Sequence, residues 1–289
     1  MNNYKIDYKK VTLFKAIYLP IITVITIICI MIGTGAFVSN GAVRFFGIHL
    51  SPFGDSQIGG GKEVLTEEEL NDSFDRIHVD ISAGNLMIKE GGLSARYEGV
   101  KTFSPKIKVE DGVLKIVQDP ETKNPFGKNG NIGNVTICIP AGKELKSIDG
   151  KLDYGDLSVE HVTAEKISVN MSAGDLVVKD AGMDELYADL SMGDMTLKDL
   201  TLGSATVSMS MGDLEAKGIT FQTFNASMSM GDIDLDSAVS LLDASMDIST
   251  SMGEVEVNHN DTGKHYSRKG SSDLNLTLDN SMGDIEVSW

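Results

Sequence analysis

From Gly155 onward the apolar residues fall at alternate positions, broken twice per cycle by an extra residue, and the whole pattern returns every nineteen residues. A Gly-Asp step marks each return, at Gly155, Gly174, Gly193, Gly212 and Gly231. The segment after Gly174 carries Leu176, Val178, Ala181, Met183, Leu186, Ala188, Leu190 and Met192. The segment after Gly193 carries Met195, Leu197, Leu200, Leu202, Ala205, Val207, Met209 and Met211 in the same places. Alternation predicts strands and the extra residues predict corners; helical spacing does not fit. One such coil cannot offset the entropy of ordering its own backbone and leaves its peptide groups unpaired, so neighbours must stack. The predicted fold is all-β, a single-stranded parallel β-solenoid (β-helix) with strands about 4.8 Å apart. Gly133-Asn134, Gly253-Glu254 and Gly283-Asp284 extend the series of corners. A β-sandwich is the alternative, and it gives no reason for a fixed step.

The earlier part fits the same scheme less regularly. Phe74, Ile77, Val79 and Ile81 alternate into Ser82-Ala83-Gly84-Asn85, and Val113–Ile116 and Val135–Ile139 read as further strands. The solenoid is thereby placed over 73–289, regular from about 155. Ahead of it, residues 39–72 contain Gly41, Gly47, Pro52, Gly54 and Gly59-Gly60-Gly61 and read as a flexible tether, with one helical turn at Thr66–Leu70 and Phe45-Phe46 at a lipid interface. Residues 16–38 carry no charge and are long enough to cross a bilayer, which takes roughly 20 apolar residues. The run exceeds the apolar core of a cleaved signal peptide. Lys5, Lys9, Lys10 and Lys15 precede it, whereas only Arg44 follows closely, so the positive-inside rule leaves residues 1–15 as a cytoplasmic tail. The expected location is the cell membrane, single-pass, with the C-terminal domain extracytoplasmic.

Charge narrows the partners. The 289 residues carry a net charge of -17, and residues 155–289 hold 24 acids against 7 bases. Repulsion of phosphate backbones excludes nucleic acid as a partner. Two cysteines, Cys29 and Cys138, give no disulfide framework.

The segment Phe74-Asp75-Arg76-Ile77-His78-Val79-Asp80-Ile81-Ser82-Ala83-Gly84-Asn85, the strand ending Ile137-Cys138-Ile139-Pro140-Ala141-Gly142 and the recurrent Ser-Met-Gly-Asp steps resemble the DUF4097 family, bacterial β-strand-repeat proteins labelled "putative adhesin". The resemblance covers about residues 72–289. It implies a bacterial surface solenoid with a link to envelope stress responses, and it brings no catalytic signature.

Candidate chemistry is sparse. The acids after each glycine (Asp156, Asp175, Asp194, Asp213, Asp232, Glu254, Asp284) predict a column of carboxylates that either closes turns or binds calcium. Met209/Met211 and Met228/Met230 could offer thioethers to Cu(I), but they occupy core-type positions. Ser172, Ser191, Ser210, Ser229, Ser251 and Ser281 predict an outward hydroxyl ladder, with a glycan-binding face as the functional alternative. His161, His259 and His265 fall at unrelated coil positions, and no nucleophile, base and orienting acid can be assembled. The reading is therefore not an enzyme, with no cofactor required and calcium the one candidate. The coil from Gly253 takes thirty residues to reach Gly283. Its surplus, including Lys264, His265, Tyr266, Arg268 and Lys269, is expected to leave the stack, either as a solvated loop near the end of the rod or as a contact loop. The function expected is a membrane-anchored surface interaction scaffold binding a cell-envelope or host-surface protein or glycan. The alternative is an accessory to an envelope-stress signalling or assembly system.

Overall fold

One glycine and the acid after it mark the corner of each regular coil, and the strands follow from what lies between successive corners. The computed structural model describes residues 37–39, 42–44, 63–70, 73–119 and 133–289. In the coil around Gly193 a long strand, Gly182–Met192, runs into the Gly-Asp corner and a short strand, Met195–Lys198, leaves it. Met183, Leu186, Ala188 and Leu190 point inward from the first, Met195 and Leu197 from the second. The break in alternation at Asp184-Glu185 is a kink repeated layer by layer: Met183 faces Leu202 and Glu185 faces Ser204 with the offset of nineteen unchanged, and the pair Asp184 and Gly203 drops out of the ladder. The break falls at the same height in neighbouring long strands, with Glu165 and Asp184 missing from the preceding ladder.

Long strands pair in parallel with long strands and short with short, with partners such as Leu157, Leu176, Met195 and Leu214 nineteen residues apart. The result is an 11-stranded sheet facing a 12-stranded sheet. One continuous apolar column fills the space between them, with Phe221 and Phe224 in tilted contact at 5.6 Å between ring centroids.

Spatial order departs from sequence order at both ends. Arg76–Ile81 pairs with Glu144–Tyr154 on one side and with Val113–Val117 on the other, so the coil written first lies second in the stack. At the far end Asn275–Met282 is inserted between Thr223–Met228 and Ser245–Met252. Each end is then closed by antiparallel strands. Lys106–Glu110 covers Val113–Val117, Ser94–Val100 covers Asn134–Ile139, and Glu63–Glu69 covers Ser94–Val100. At the opposite end His265–Arg268 covers Ser245–Met252, and Asn260–Asp261 covers Val255–Val257. Antiparallel covers interrupt the open parallel edge that would otherwise template further strands.

Several expectations change here. Thr66–Leu70, expected as a helical turn, lies mostly in the strand Glu63–Glu69, because pairing with Ser94–Val100 satisfies its backbone. The sheet therefore begins within the stretch read as tether. The predicted membrane-crossing run 16–38 lies outside the described residues except Phe37 and Val38, which open a strand, Phe37–Ser39, paired with Ala42–Arg44. Among the described residues no helix is long and apolar enough to cross a membrane. Of the Met-x-Met pairs only the first member is core: Met209 and Met228 are buried, whereas Met211 is half-buried and Met230 is 40% exposed. The residue before each glycine has already turned into the corner.

Candidate functional site

The most regular feature of the molecule is the corner, and its geometry explains both residues that define it. Gly155, Gly174, Gly193, Gly212, Gly231, Gly253 and Gly283 all have positive φ, between 126° and 152°. Space is the second constraint. A Cβ on Gly193 would lie 1.9 Å from the carbonyl oxygen of Gly174, and the other six meet the glycine carbonyl of the adjacent layer at 1.9–2.1 Å. The layers can approach only because these positions carry no side chain.

The following acid fastens each layer to the next. Asp175 donates its amide to Asp156 Oδ1 at 3.0 Å, Asp194 to Asp175 at 2.9 Å, Asp213 to Asp194 at 2.9 Å and Asp232 to Asp213 at 2.9 Å. The series follows spatial order through the insertion, with Asp284 on Asp232 and Glu254 on Asp284. At its other end Asp156 donates to Asn85 Oδ1, and Asn85 Nδ2 to Asn134 Oδ1. The turn chemistry expected of these acids is present, as a bond between layers. Burial pushes the Asp175 carboxyl upward against the lowering effect of the Asp194 amide, with the charges of Asp156 and Asp194 adding to the rise.

Outward rows run parallel to this column. Ser172, Ser191, Ser210, Ser229, Ser251 and Ser281 are all exposed. Beside them Lys151, Asn170, Asp189, Ser208, Ser227, Asp279 and Ser249 form a register-locked row on the long-strand sheet. A shallow depression of about 140 Å³ lies between Lys151, Asp153, Asn170, Ser172, Asp189 and Ser191.

The surplus segment expected to leave the stack instead lies along it. Lys264 Nζ donates to the Ser251 carbonyl at 2.8 Å, and His265 Nδ1 is 3.8 Å from Asp247. Tyr266 packs on the core. Arg268 donates to the carbonyls of Ala244 and Leu241 and lies 5.9 Å from the Trp289 ring, holding the cover strand in place. Lys269 is exposed. The backbone amides and carbonyls of Ser245–Met252 supply the pairing that keeps the segment down. Of the histidines, His161 faces Asp180 at 3.8 Å, whereas His259 is joined by two carboxylates, Glu256 and Glu286.

The family model described as Toastrack DUF4097 matches residues 74–288. This chain belongs to the Toastrack DUF4097 family. Solved structures are similar to this chain, and the first of those named shares its fold. A "putative adhesin" from Bacteroides fragilis is 17% identical, with 79% of this chain and 98% of that chain covered at a TM-score of 0.51. A "putative adhesin" from Parabacteroides merdae is 14% identical over 80% of this chain and 98% of that chain, TM-score 0.44. A "Putative lipid binding protein" from Parabacteroides distasonis is 17% identical over 79% and 98%, TM-score 0.43. No curated protein matches the sequence. Within the Toastrack frame the corner column joins layer to layer, and the serine row beside it is exposed.

Proposed function

We propose that this Toastrack protein is a membrane-anchored, extracytoplasmic interaction scaffold without catalytic chemistry, held in the membrane by its uncharged N-terminal run with its N-terminus in the cytoplasm. The observation that carries the reading is the register-locked repetition of outward rows, from Lys151 through Asn170, Asp189 and Ser208 to Ser227. Rows at a step of about 4.8 Å present outward polar groups at regular spacing along one direction, which suits an extended partner, protein or glycan. The excess of 24 acids over 7 bases in residues 155–289 favours a cationic partner, or an anionic polymer bridged by a divalent cation such as calcium.

Cells displaying the full chain test this. Protease added to intact protoplasts removes the domain beyond about residue 70 if the topology is right, and complete protection overturns it. Capture of a basic peptide by the same cells strengthens as salt is lowered, because charges are screened over about 8 Å at physiological ionic strength. Salt-independent capture overturns the electrostatic part. Co-purification only with envelope-stress components, with no binding to wall or host-surface material, replaces the scaffold reading with the accessory one.

A further inference from the structure

We infer that Glu256, His259 and Glu286 form a binding site for one divalent first-row transition cation of the Zn²⁺ type at the covered end of the solenoid. The inference goes beyond the scaffold reading and does not depend on it.

The strands Val255–Val257 and Ile285–Ser288 pair in parallel with Glu256 opposite Glu286. Val255, Val257, Ile285 and Val287 are buried, so alternation sends both carboxylates to the outer face, side by side. They continue a row that begins with Glu215 and Asp234. Lys217 neutralises that first half, lying 2.5 Å from Glu215 and 3.2 Å from Asp234. The equivalent positions in the next layers are Asp236 and Ser288, so the second half has no such lysine. Like charges directly opposite on neighbouring strands are destabilising.

Among the described residues, the basic group at ion-pair distance from both glutamates is His259. Its Nδ1 is 3.5 Å from Glu256 Oε1 and 3.8 Å from Glu286 Oε1. It reaches them from the two-residue turn Asn258-His259, where both residues are left-handed, with φ of 48° and 60°. The turn is fixed: Asn258 donates its amide to the Val287 carbonyl at 2.8 Å, its side-chain oxygen accepts from the Trp289 amide at 3.2 Å, and Asn260 Nδ2 donates to its carbonyl at 2.8 Å. Two strands and an anchored turn thus converge one imidazole and two carboxylates, with their ligand atoms all within 4.8 Å of one another.

Tetrahedral zinc holds nitrogen and oxygen ligands at about 2.0–2.1 Å, hence roughly 3.4 Å from each other. The two histidine distances need to contract by a few tenths of an ångström at most. One nitrogen and two carboxylates suit zinc and its neighbours, whereas calcium takes six to eight oxygen ligands. Three protein ligands leave the remaining positions for water or a partner's side chain.

The test uses the full-length chain in detergent and Zn²⁺ alone, titrated by calorimetry after chelator treatment. Expected is saturable binding of one equivalent at micromolar concentration, unaffected by about 1 mM Ca²⁺. His259→Asn keeps a residue that tolerates the left-handed turn, and Glu286→Gln keeps shape. Each should weaken binding by about tenfold or more while leaving the metal-free melting temperature within a few degrees of the parent. The rise in melting temperature on adding Zn²⁺ should vanish with it. Absence of saturable binding below about 1 mM, displacement by Ca²⁺, or a loss smaller than tenfold in either variant overturns the assignment.

Discussion

Replacing Gly193 by alanine should be among the most damaging single-methyl changes available to this protein, and replacing Gly182 by alanine, in the same coil, should not damage it at all. At Gly193 the new Cβ would lie 1.9 Å from the Gly174 carbonyl oxygen, on a backbone with φ of 133°. Relief requires the two layers to separate by more than about 1 Å, since real carbon-oxygen contacts lie beyond 3 Å. That separation breaks the corner bonds between these two layers, Asp194 amide to Asp175 Oδ1 at 2.9 Å and Gly174 amide to Met192 carbonyl at 3.0 Å. Two bonds at about 1 kcal/mol each and backbone strain of about 1–3 kcal/mol give roughly 3–5 kcal/mol. For a unit spanning Ile58–Trp289 this lowers the melting temperature by about 6–20 °C. At Gly182 an added Cβ meets nothing within 4 Å, and reduced freedom in the unfolded chain stabilises by about 0.4–1 kcal/mol. Thermal unfolding by circular dichroism of the two variants decides the matter. A Gly193→Ala protein within 1 kcal/mol of the parent, or a Gly182→Ala protein equally destabilised, would refute the reasoning that layer contact and the positive-φ backbone together select glycine at the corner.

Asp194→Asn keeps the acceptor for the Asp213 amide, whereas Asp194→Ala removes it, so by chemical denaturation the alanine variant should be less stable than the asparagine one by about 1 kcal/mol; equal stabilities would mean that the interlayer bond contributes nothing. The acid range separates two kinds of carboxyl. Asp175 has a raised folded pKa, so its charge costs stability at neutral pH and the cost fades as pH falls through that raised value; Asp175→Asn should melt higher than the parent at pH 7 and converge with it in acid. Asp75 is lowered, first by its hydrogen bond with Lys146, and Glu110 by those with Lys108 and Lys115, so their support is present above the unfolded pKa and is lost as pH falls through the folded one. Asp75→Asn should therefore melt lower than the parent at pH 7 and converge with it in acid, and a pH-independent difference would contradict the assignment. Deleting residues 275–289 removes the layer between Thr223–Met228 and Ser245–Met252, and hydrogen exchange should then show residues 245–268 losing protection while the coils from Glu144 to Met211 keep theirs.

The repeat itself was legible because every layer between Glu144 and Ile219 obeys one register, and a nineteen-residue spacing in sequence becomes a nearest-neighbour contact in space. Gly193 could be read as a corner from its place in the pattern. That it also receives the carbonyl of the layer below could not, since the contact depends on strand spacing and not on residue type. The order of the end layers was invisible for a related reason. Leu276 and Leu278 alternate as well as Met246 and Ile248 do, and nothing in alternation says which of them adjoins Phe224 and Ala226. The surplus after Gly253 was found by counting, but its path as a cover strand depends on the free edge of Ser245–Met252. His259 looked isolated because Glu286 lies far along the chain; only the insertion of Ile285–Ser288 beside Val255–Val257 makes them neighbours.

The interlocked ends limit how such a chain can change length over evolution. An insertion near Arg76–Ile81 or Asn275–Met282 would have to alter two neighbouring layers and a cover strand at once. Between Glu144 and Met211 each layer touches only the one before and the one after, through the same bonds. A duplicated unit from Gly193 to Met211 would meet compatible surfaces above and below, with its glycine and aspartate already in register. Length can therefore grow or shrink in whole coils from the middle, about 4.8 Å at a time, while both ends stay as they are.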